Sequence, residues 1–424
     1  MAELRVVEIC AGAGGQALGL ERAGFEHELA VELDSNAVKT LRHNRKDWKV
    51  EEGDVADPKV WRPEDHRGKT DLLAGGVPCP PFTIAGKQLG ATDERDLFAW
   101  AVRQVRIIQP KALMLENVRG LSANRFAAYR QHVLDELRRY DYVASWRLLQ
   151  ASDFGVPQLR PRFVLVALQR EFAPYFTWPE PLEGPPPTVG ETLKDLMASN
   201  GWEGADAWAE GAASIAPTIV GGSKKHGGAD LGPSRAKAAW EKLGVDGWGV
   251  ENAPPEPGWT PPPGKPGPKL TCEMVARIQG WNEGDWHFTG GKTTQYRQIG
   301  NAFPPPVAEA VGRSIHRALS KEGEKVDLVE TTEVIHDPVY KLLHGAPRPV
   351  GMDQIITKLQ KAGVELTEPE VEQHLAHLER DFVIERAKRS SGAYAYTLGE
   401  FRAFVGQEGH ERHERFAVNK SRIS

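Results

Sequence analysis

Cys79 stands in the segment GGVPCPPFTIAGK, just past the apolar run DLLAGG. Three prolines flank it, so the spacing predicts a rigid, exposed turn and not a place in an apolar core. A thiol in that setting suits nucleophilic attack, whereas most cysteines are small buried hydrophobes. Glu116, in LMLENVRG, closes another apolar run. A carboxyl group near a nucleophile serves as an acid, or donates a hydrogen bond when protonated; its ordinary reading is a surface turn acid. Arg160 and Arg162, in VPQLRPRFVLV, alternate at the start of a strand. Alternation points them to one face, where they can reach oxygens of an anionic or carbonyl substrate; otherwise they are a solvated strand end.

A second group of residues suits a cofactor. AGAGG, holding Gly12, Gly14 and Gly15, follows a short apolar run and precedes a helical stretch. Glycines there let a ligand approach the backbone, although the full GxGxxG spacing is missing. Glu32 lies 20 residues after Gly12 at the next strand end, where an acid suits ribose hydroxyls. Asp54, in EGDV, can accept from an adenine amino group. Each acid alone reads equally well as a turn residue. Together they describe a cofactor containing adenosine, with or without a pyrophosphate.

Strands alternating with helices must position these residues. LRVVEIC, ELAVEL, DLLAGG, ALMLEN, YVASWRLL and RFVLVAL read as strands, with helical stretches such as DSNAVKTLRHN, RDLFAWAVRQVRII and FAAYRQHVLDELRRY between them. That pattern predicts an α/β fold with a mainly parallel sheet covered on both faces. Composition is ordinary for a globular chain, 40% hydrophobic and 26% charged. No apolar run is long enough for a membrane helix, and the N-terminus lacks the pattern of a signal peptide. Three cysteines without CxxC spacing exclude a disulfide framework and a zinc site, which predicts no metal and a reducing compartment. The net charge of −5 argues mildly against a nucleic-acid partner, but a basic groove can sit on an acidic body.

The chain resembles the cytosine-5 DNA methyltransferases over roughly residues 4–315. The glycine loop, ELD, GDV, the PC loop, ENV, QxRxR and the closing QIGNAFPPPVAEAVG occur in that family's order. The resemblance implies an S-adenosylmethionine-dependent, Rossmann-like enzyme of the bacterial type acting on double-stranded DNA. The target cytosine is then flipped out of the duplex, because its ring is unreachable while stacked. Cys79 attacks carbon-6, Glu116 holds the N3 and amino side, Arg162 contacts O2, and Arg160 supports the catalytic loop. Cofactor contacts carry over to Cys10, Ala11, Gly12, Ala13, Gly14, Gly15, Glu32, Leu33, Asp54, Val55 and Asn301. Cys10 stands where the family often has Phe, Glu8 where it often has Asp, Leu33 where some members have an aromatic, and Pro80 where Gln is common. An RNA cytosine methyltransferase and an inactive DNA-binding regulator are the competing readings. A cognate restriction endonuclease is an expected partner, a membrane is not, and the expected location is cytoplasmic, at the nucleoid.

The resemblance predicts a catalytic domain over 1–169, completed by return helices at 269–320. Residues 170–268, rich in proline, glycine and tryptophan, read as a loop-rich target-recognition domain. Within it PTIVGG resembles a core motif of such domains. Lys224, Lys225, Arg235 and Lys237 follow as DNA-contact candidates; a solvated basic loop is the ordinary alternative. Residues 330–400 suggest three short helices and a hairpin, similar to a winged helix, before a tail at 401–424. Thr367 and Glu370 have capping-box spacing. Arg386, Lys388 and Arg389 fall in the wing strands. The third helix carries Glu368, Glu370, Glu372 and Glu379, which would repel phosphates, so the block is expected to be accessory and not to choose the target.

Overall fold

A computed structural model describes residues 3–78, 95–222, 228–282, 284, 286–326, 337–389 and 392–401, without the side chains of residues 95, 96 and 380. Its first half runs β1 (Leu4–Ile9), α1 (Gly15–Arg22), β2 (Phe25–Glu32), α2 (Ser35–Asn44), β3 (Val50–Glu52), β4 (Leu72–Gly75), α3 (Arg95–Ile108), β5 (Ala112–Val118), α4 (Ala127–Arg139), β6 (Tyr142–Gln150) and β7 (Pro161–Gln169). Seven strands form one sheet in the order β3-β2-β1-β4-β5-β7-β6. The pairs β1–β2, β1–β4, β2–β3 and β4–β5 are parallel. The chain winds outward from β1 to β3, then returns to β4 and winds the other way. That reversal puts a crevice at the carboxyl ends of β1 and β4, where open α/β sheets take their ligands. The glycine loop leaves one of these ends and the Cys79 segment the other.

The strands are apolar because both faces are covered: all four residues of β4 and the first six of β5 are buried. One polar pair interrupts β1 and β2. Glu8 and His27 meet at 3.0 Å with fully buried side chains, and His27 stacks on Trp48. Burial raises the Glu8 carboxyl above its usual range, against the pull of His27.

By contacts the chain divides into two compact units, Met1–Val77 with Ile108–Asn117 and Trp146–Val326, and Pro78–Ile107 with Val118–Ser145 and Asp327–Ser424. In the first, α5 (Val189–Ala198), α6 (Ala205–Gly211), α7 (Ser234–Glu241), α8 (Cys272–Ile278), α9 (Lys292–Asn301) and α10 (Pro305–Leu319) follow the sheet. Among its described residues the stretch 170–268 holds three α-helices where the sequence suggested no long periodic element. They are short and separated by Pro and Gly, so no apolar period repeats often enough to read. The first of them, α5, opens on a capping box of Thr188 and Glu191. Leu193, Trp208, Trp240 and Leu243 join Met274 and Tyr296 in one core, so insert and return helices bury each other. At the far end α10 lies directly on α1. A Cβ at Gly19 would come within 2.5 Å of both the Ala308 Cβ and the Pro305 carbonyl, so only glycine allows that approach.

The second unit holds α11 (Pro338–His344), β8 (Val350–Gly351), α12 (Met352–Lys361), α13 (Glu368–Asp381), β9 (Phe382–Lys388) and β10 (Tyr394–Phe401). The three strands form a sheet in the order β8-β10-β9, antiparallel throughout. The Glu370 carboxylate accepts from both the N–H and the hydroxyl of Thr367, at 2.7 Å each, closing the start of α13. Arg386 pairs with Glu379, and Arg389 donates to Gln354 beside Asp353. Two of the three basic wing residues are thus committed inside the block.

His132 of α4 lies in an aromatic cluster with Phe401 at 4.2 Å, Phe382 at 5.4 Å and Tyr340 at 6.4 Å between ring centroids. Burial lowers its pKa to about 3, helped by the charges of Arg139, His344 and Arg103. The imidazole is therefore neutral in the fold and titrates near 6.5 when unfolded. Below about pH 6.5 only the unfolded chain takes the proton, so stability falls as pH drops toward 3. His374, whose pKa is raised mainly by its hydrogen bond to Asp337, acts in the opposite sense and above 6.5. Relative to wild type, His132→Phe should gain about 1 kcal/mol per pH unit between pH 6.5 and 5 in denaturant titrations. A pH-independent difference would show that His132 is protonated in the fold.

Candidate functional site

The loop after β1 is held open on one side and packed on the other. Cys10, Gly12 and Gly14 all have positive φ, at 51°, 55° and 94°. A Cβ at Gly14 would meet the Trp286 ring at 2.3 Å, while one at Gly12 would meet nothing within 4 Å. Trp286 donates its indole N–H to the Ala13 carbonyl at 2.8 Å. Ala11 and Ala13 are buried beneath the loop. The indole therefore supports the loop from below and leaves space over Gly12. Trp286 had no signal in the sequence, since nothing local marks a tryptophan 272 residues past Gly14.

Glu32 stands at the edge of that space. Its two oxygens accept from the Gly12 and Asp34 N–H groups at 2.7 Å each. Burial raises its pKa, and those same two bonds pull it back. Leu33 is exposed beside it, as is unusual for a large apolar side chain. Asp54 accepts from the Ala56 N–H at 2.9 Å in the turn after β3, and Val55 is buried with its carbonyl taken by Trp61. Asn301 is also expected among the cofactor contacts. Its amide donates to the Gly222 carbonyl at 3.3 Å, at the end of PTIVGG. Its neighbours Ala302 and Phe303 are the ones placed against Gly15.

Glu116, at the end of β5, forms a buried ion pair with Arg162, Nε to Oε1 at 2.8 Å. A Cβ at Gly76 would lie 3.7 Å from both the Glu116 carboxylate and the Cys10 carbonyl. The carboxylate, the glycine loop and the segment entering the PC motif therefore converge. Asn117 adds a bond from its amide to the Val77 carbonyl at 3.1 Å. Burial raises the Glu116 pKa; Arg162 and then Arg160 oppose it. A carboxyl group raised in this way is held nearer its protonated form, the form that an acid or hydrogen-bond donor needs. Cys79 itself lies outside the described residues.

Arg160 does not share this role. Its guanidinium is buried and donates to the carbonyls of Ile219 and Gly300 at 2.6 Å each, and of Ala302 at 3.0 Å. Gln158, also buried, bonds Gln279 at 2.7 Å and accepts from the Ile219 N–H at 2.9 Å. QxRxR thus splits by position: Gln158 and Arg160 tie the insert and the return segment to β7, and only Arg162 meets Glu116.

On the insert, Lys224 and Lys225 lie outside the described residues. Arg235 is exposed in the first turn of α7. Lys237 is engaged internally, 3.0 Å from Asp230 and 3.9 Å above the Trp248 ring. Trp248 is 65% exposed, more than any other large apolar side chain described. Among the described residues no helix is long and apolar enough to cross a membrane, and no group of His, Cys, Asp and Glu could hold a metal ion.

Comparison with known proteins agrees with this arrangement. Residues 4–317 match the family model of the C-5 cytosine-specific DNA methylases. The Type II methyltransferase M.NaeI of Lentzea aerocolonigenes is 63% identical over 425 residues, covering 100% of both chains. M.NgoMIV of Neisseria gonorrhoeae, also a Type II methyltransferase, is 52% identical over 323 residues, covering 74% of this chain and 98% of its own. Among solved structures, a DNMT2 variant of Spodoptera frugiperda superposes with a TM-score of 0.51 at 16% identity, covering 74% of this chain and 99% of that one, which speaks to the fold alone. With its mainly parallel sheet, its glycine loop and its Glu116–Arg162 pair, and with residues 4–317 matched, the chain belongs to the C-5 cytosine-specific DNA methylases.

Proposed function

We propose that this chain methylates carbon-5 of a cytosine flipped out of double-stranded DNA, through a covalent adduct with Cys79, as the modification partner of a restriction endonuclease. The observation that carries the reading is the buried Glu116–Arg162 pair beside Gly76, three residues before Cys79. The two Type II relatives support the DNA substrate and the restriction–modification role.

Carbon-5 of an aromatic pyrimidine is a poor nucleophile, so the ring needs activation. The Cys79 thiolate adds to carbon-6, and Glu116, drawn toward its protonated form by burial, hydrogen-bonds N3 and the amino edge as charge develops. Arg162 meets O2 and fixes the carboxyl group. Loss of the carbon-5 proton then releases Cys79. S-adenosylmethionine supplies the methyl group when bound. The open space over Gly12, the Glu32 carboxylate and exposed Leu33 suit its ribose and adenine, with Asp54 toward the adenine amino group.

For the duplex, exposed Arg235 at the start of α7 suits a phosphate. Trp248, its ring held by Lys237, offers an apolar face to a base or sugar. Lys224 and Lys225 extend the basic run. We read residues 337–401, with their order of helix, strand, two helices and hairpin, as a winged helix that takes no part in target choice.

Cys79→Ser should abolish methyl transfer and leave the fold intact, because a serine hydroxyl is far less ionised than a thiol. Wild type should form a covalent adduct with duplex DNA carrying 5-fluorocytosine, seen as a shifted band under denaturing conditions. An active serine variant would remove Cys79 from the mechanism.

Glu116→Gln should slow single-turnover methylation by roughly 10²–10⁴-fold. Glu32→Ala should mainly weaken S-adenosylmethionine binding. Cofactor titration of both variants separates the roles: equal loss of affinity in the two would contradict them.

Trp248→Ala should weaken duplex binding about tenfold or more with an unchanged salt slope, since it loses stacking and no phosphate contact. Arg235→Ala should instead lower the salt slope by about one. A wild-type affinity in Trp248→Ala, measured by fluorescence anisotropy, would place the DNA elsewhere.

A further inference from the structure

Helix α4 is buried in a way that one packed face cannot explain. Seven consecutive residues, Ala127 to Val133, are buried, including Arg130, Gln131 and His132. An amphipathic helix covered on one side exposes about half of any such run. Inside the second compact unit it meets aromatic and polar partners. Tyr129 meets Phe401 at 5.8 Å and, on α3, Phe98 at 6.3 Å. His132 lies among Tyr340, Phe382 and Phe401, with Nδ1 3.2 Å from the Tyr340 hydroxyl. Arg139 reaches His344 at 3.0 Å. These partners of His132 and Arg139 belong to the C-terminal block, beyond the residues matched by the family model.

Between Tyr129 and His132 sits Arg130. One nitrogen of its guanidinium donates to the carbonyls of Leu121 and Ala123, at 2.8 Å each. Those carbonyls belong to the turn at Arg119–Ser122 and the residue after it. That turn is the direct continuation of β5, three residues past Glu116. Asp337, 1% exposed, lies at the start of α11, where it accepts from the Tyr340 N–H at 2.8 Å and pairs with His374 at 2.9 Å. Its charge acts on Arg130. Burial lowers the arginine to about 10, and Asp337 works against that loss. A buried cation needs such a counter-charge to stay in place.

We propose that Arg130 is a positioning residue for methyl transfer: the C-terminal block fixes α4, and Arg130 fixes the turn that leaves the Glu116 strand. The block then acts on the rate of the reaction and not on its target. This rests on the methyl-transfer reading above. A carboxyl group that must meet a flipped base tolerates little displacement, and an error of about 1 Å can cost on the order of 100-fold in rate.

Full-length variants test the idea. Arg130→Met removes the two carbonyl bonds but keeps the stem; Arg130→Lys restores a donor. Asp337→Asn keeps the cap on α11 and removes the charge. Arg130→Met should lower kcat roughly 10- to 100-fold, with KM for DNA and for S-adenosylmethionine within about twofold and the methylated sequence unchanged. Arg130→Lys should recover most of the loss. Asp337→Asn should lower kcat in the same direction, and the double variant Arg130→Met/Asp337→Asn should be no slower than Arg130→Met, because the two act through one clamp. Hydrogen exchange at residues 119–123 should quicken in Asp337→Asn. An unchanged kcat in Asp337→Asn, losses that multiply in the double variant, or a rise in KM at constant kcat would each overturn the proposal. Should Arg130→Met fail to fold, Asp337→Asn and Arg130→Lys decide by the same readouts. A wild-type protein without methyl transfer would sink the functional reading, while the exchange measurement would still report on the clamp.

Discussion

The guanidinium of Arg160 holds together parts of the chain that lie 59 and 140 residues further on, through the carbonyls of Ile219 and Gly300. A cation taken out of water costs several kcal/mol unless its protons are all met. Arg160 offsets part of that cost with carbonyl dipoles at its two terminal nitrogens, while its Nε is buried without a hydrogen-bond partner among the described residues. The arrangement exists only when β7, the end of PTIVGG and the QIGNAF segment are all in place. The insert can therefore vary in its loops while its junction with the catalytic sheet stays fixed.

The same logic governs the crevice. Glu8, Glu32 and Glu116 lie near the carboxyl ends of strands β1, β2 and β5, and desolvation raises the pKa of each. Their partners differ, and so does what each can do. Glu8 meets an imidazole, Glu32 two backbone N–H groups, and Glu116 an arginine. Glu8 is one methylene longer than the Asp common in the family, and the extra reach is used to meet His27 across the sheet. Glu32, tied to Gly12, couples the shape of the glycine loop to the second strand. Glu116 alone is balanced between burial and two nearby arginines, the balance that acid–base work requires.

The C-terminal block changes the meaning of the charges read along it. Arg386 and Arg389 suggest a phosphate-binding wing, yet both are spent on Glu379, Asp353 and Gln354. Glu368, Glu370 and Glu372 of α13 stay exposed. What the block contributes instead is apolar: Tyr340, Phe382 and Phe401 close over His132.

By itself the sequence determined the order of strands and helices in the first half of the chain, the positions of the glycine loop and the strand-end acids, and the cap at Thr367. Each depends on residues within a turn or two, where periodicity, glycine and capping leave a direct mark. Only the tertiary structure decided which polar groups meet. Arg160 and Arg162 alternate identically along the chain, yet one became a buried tie between segments and the other the partner of Glu116. Lys237, read as a phosphate contact, is held by Asp230 and Trp248. Trp286 supports a loop more than 270 residues upstream. Helix α4 carries an ordinary amphipathic pattern, yet seven consecutive residues of it are buried. The partner of a buried polar or aromatic group comes from packing between distant segments, and a chain read residue by residue holds no record of which segments will meet.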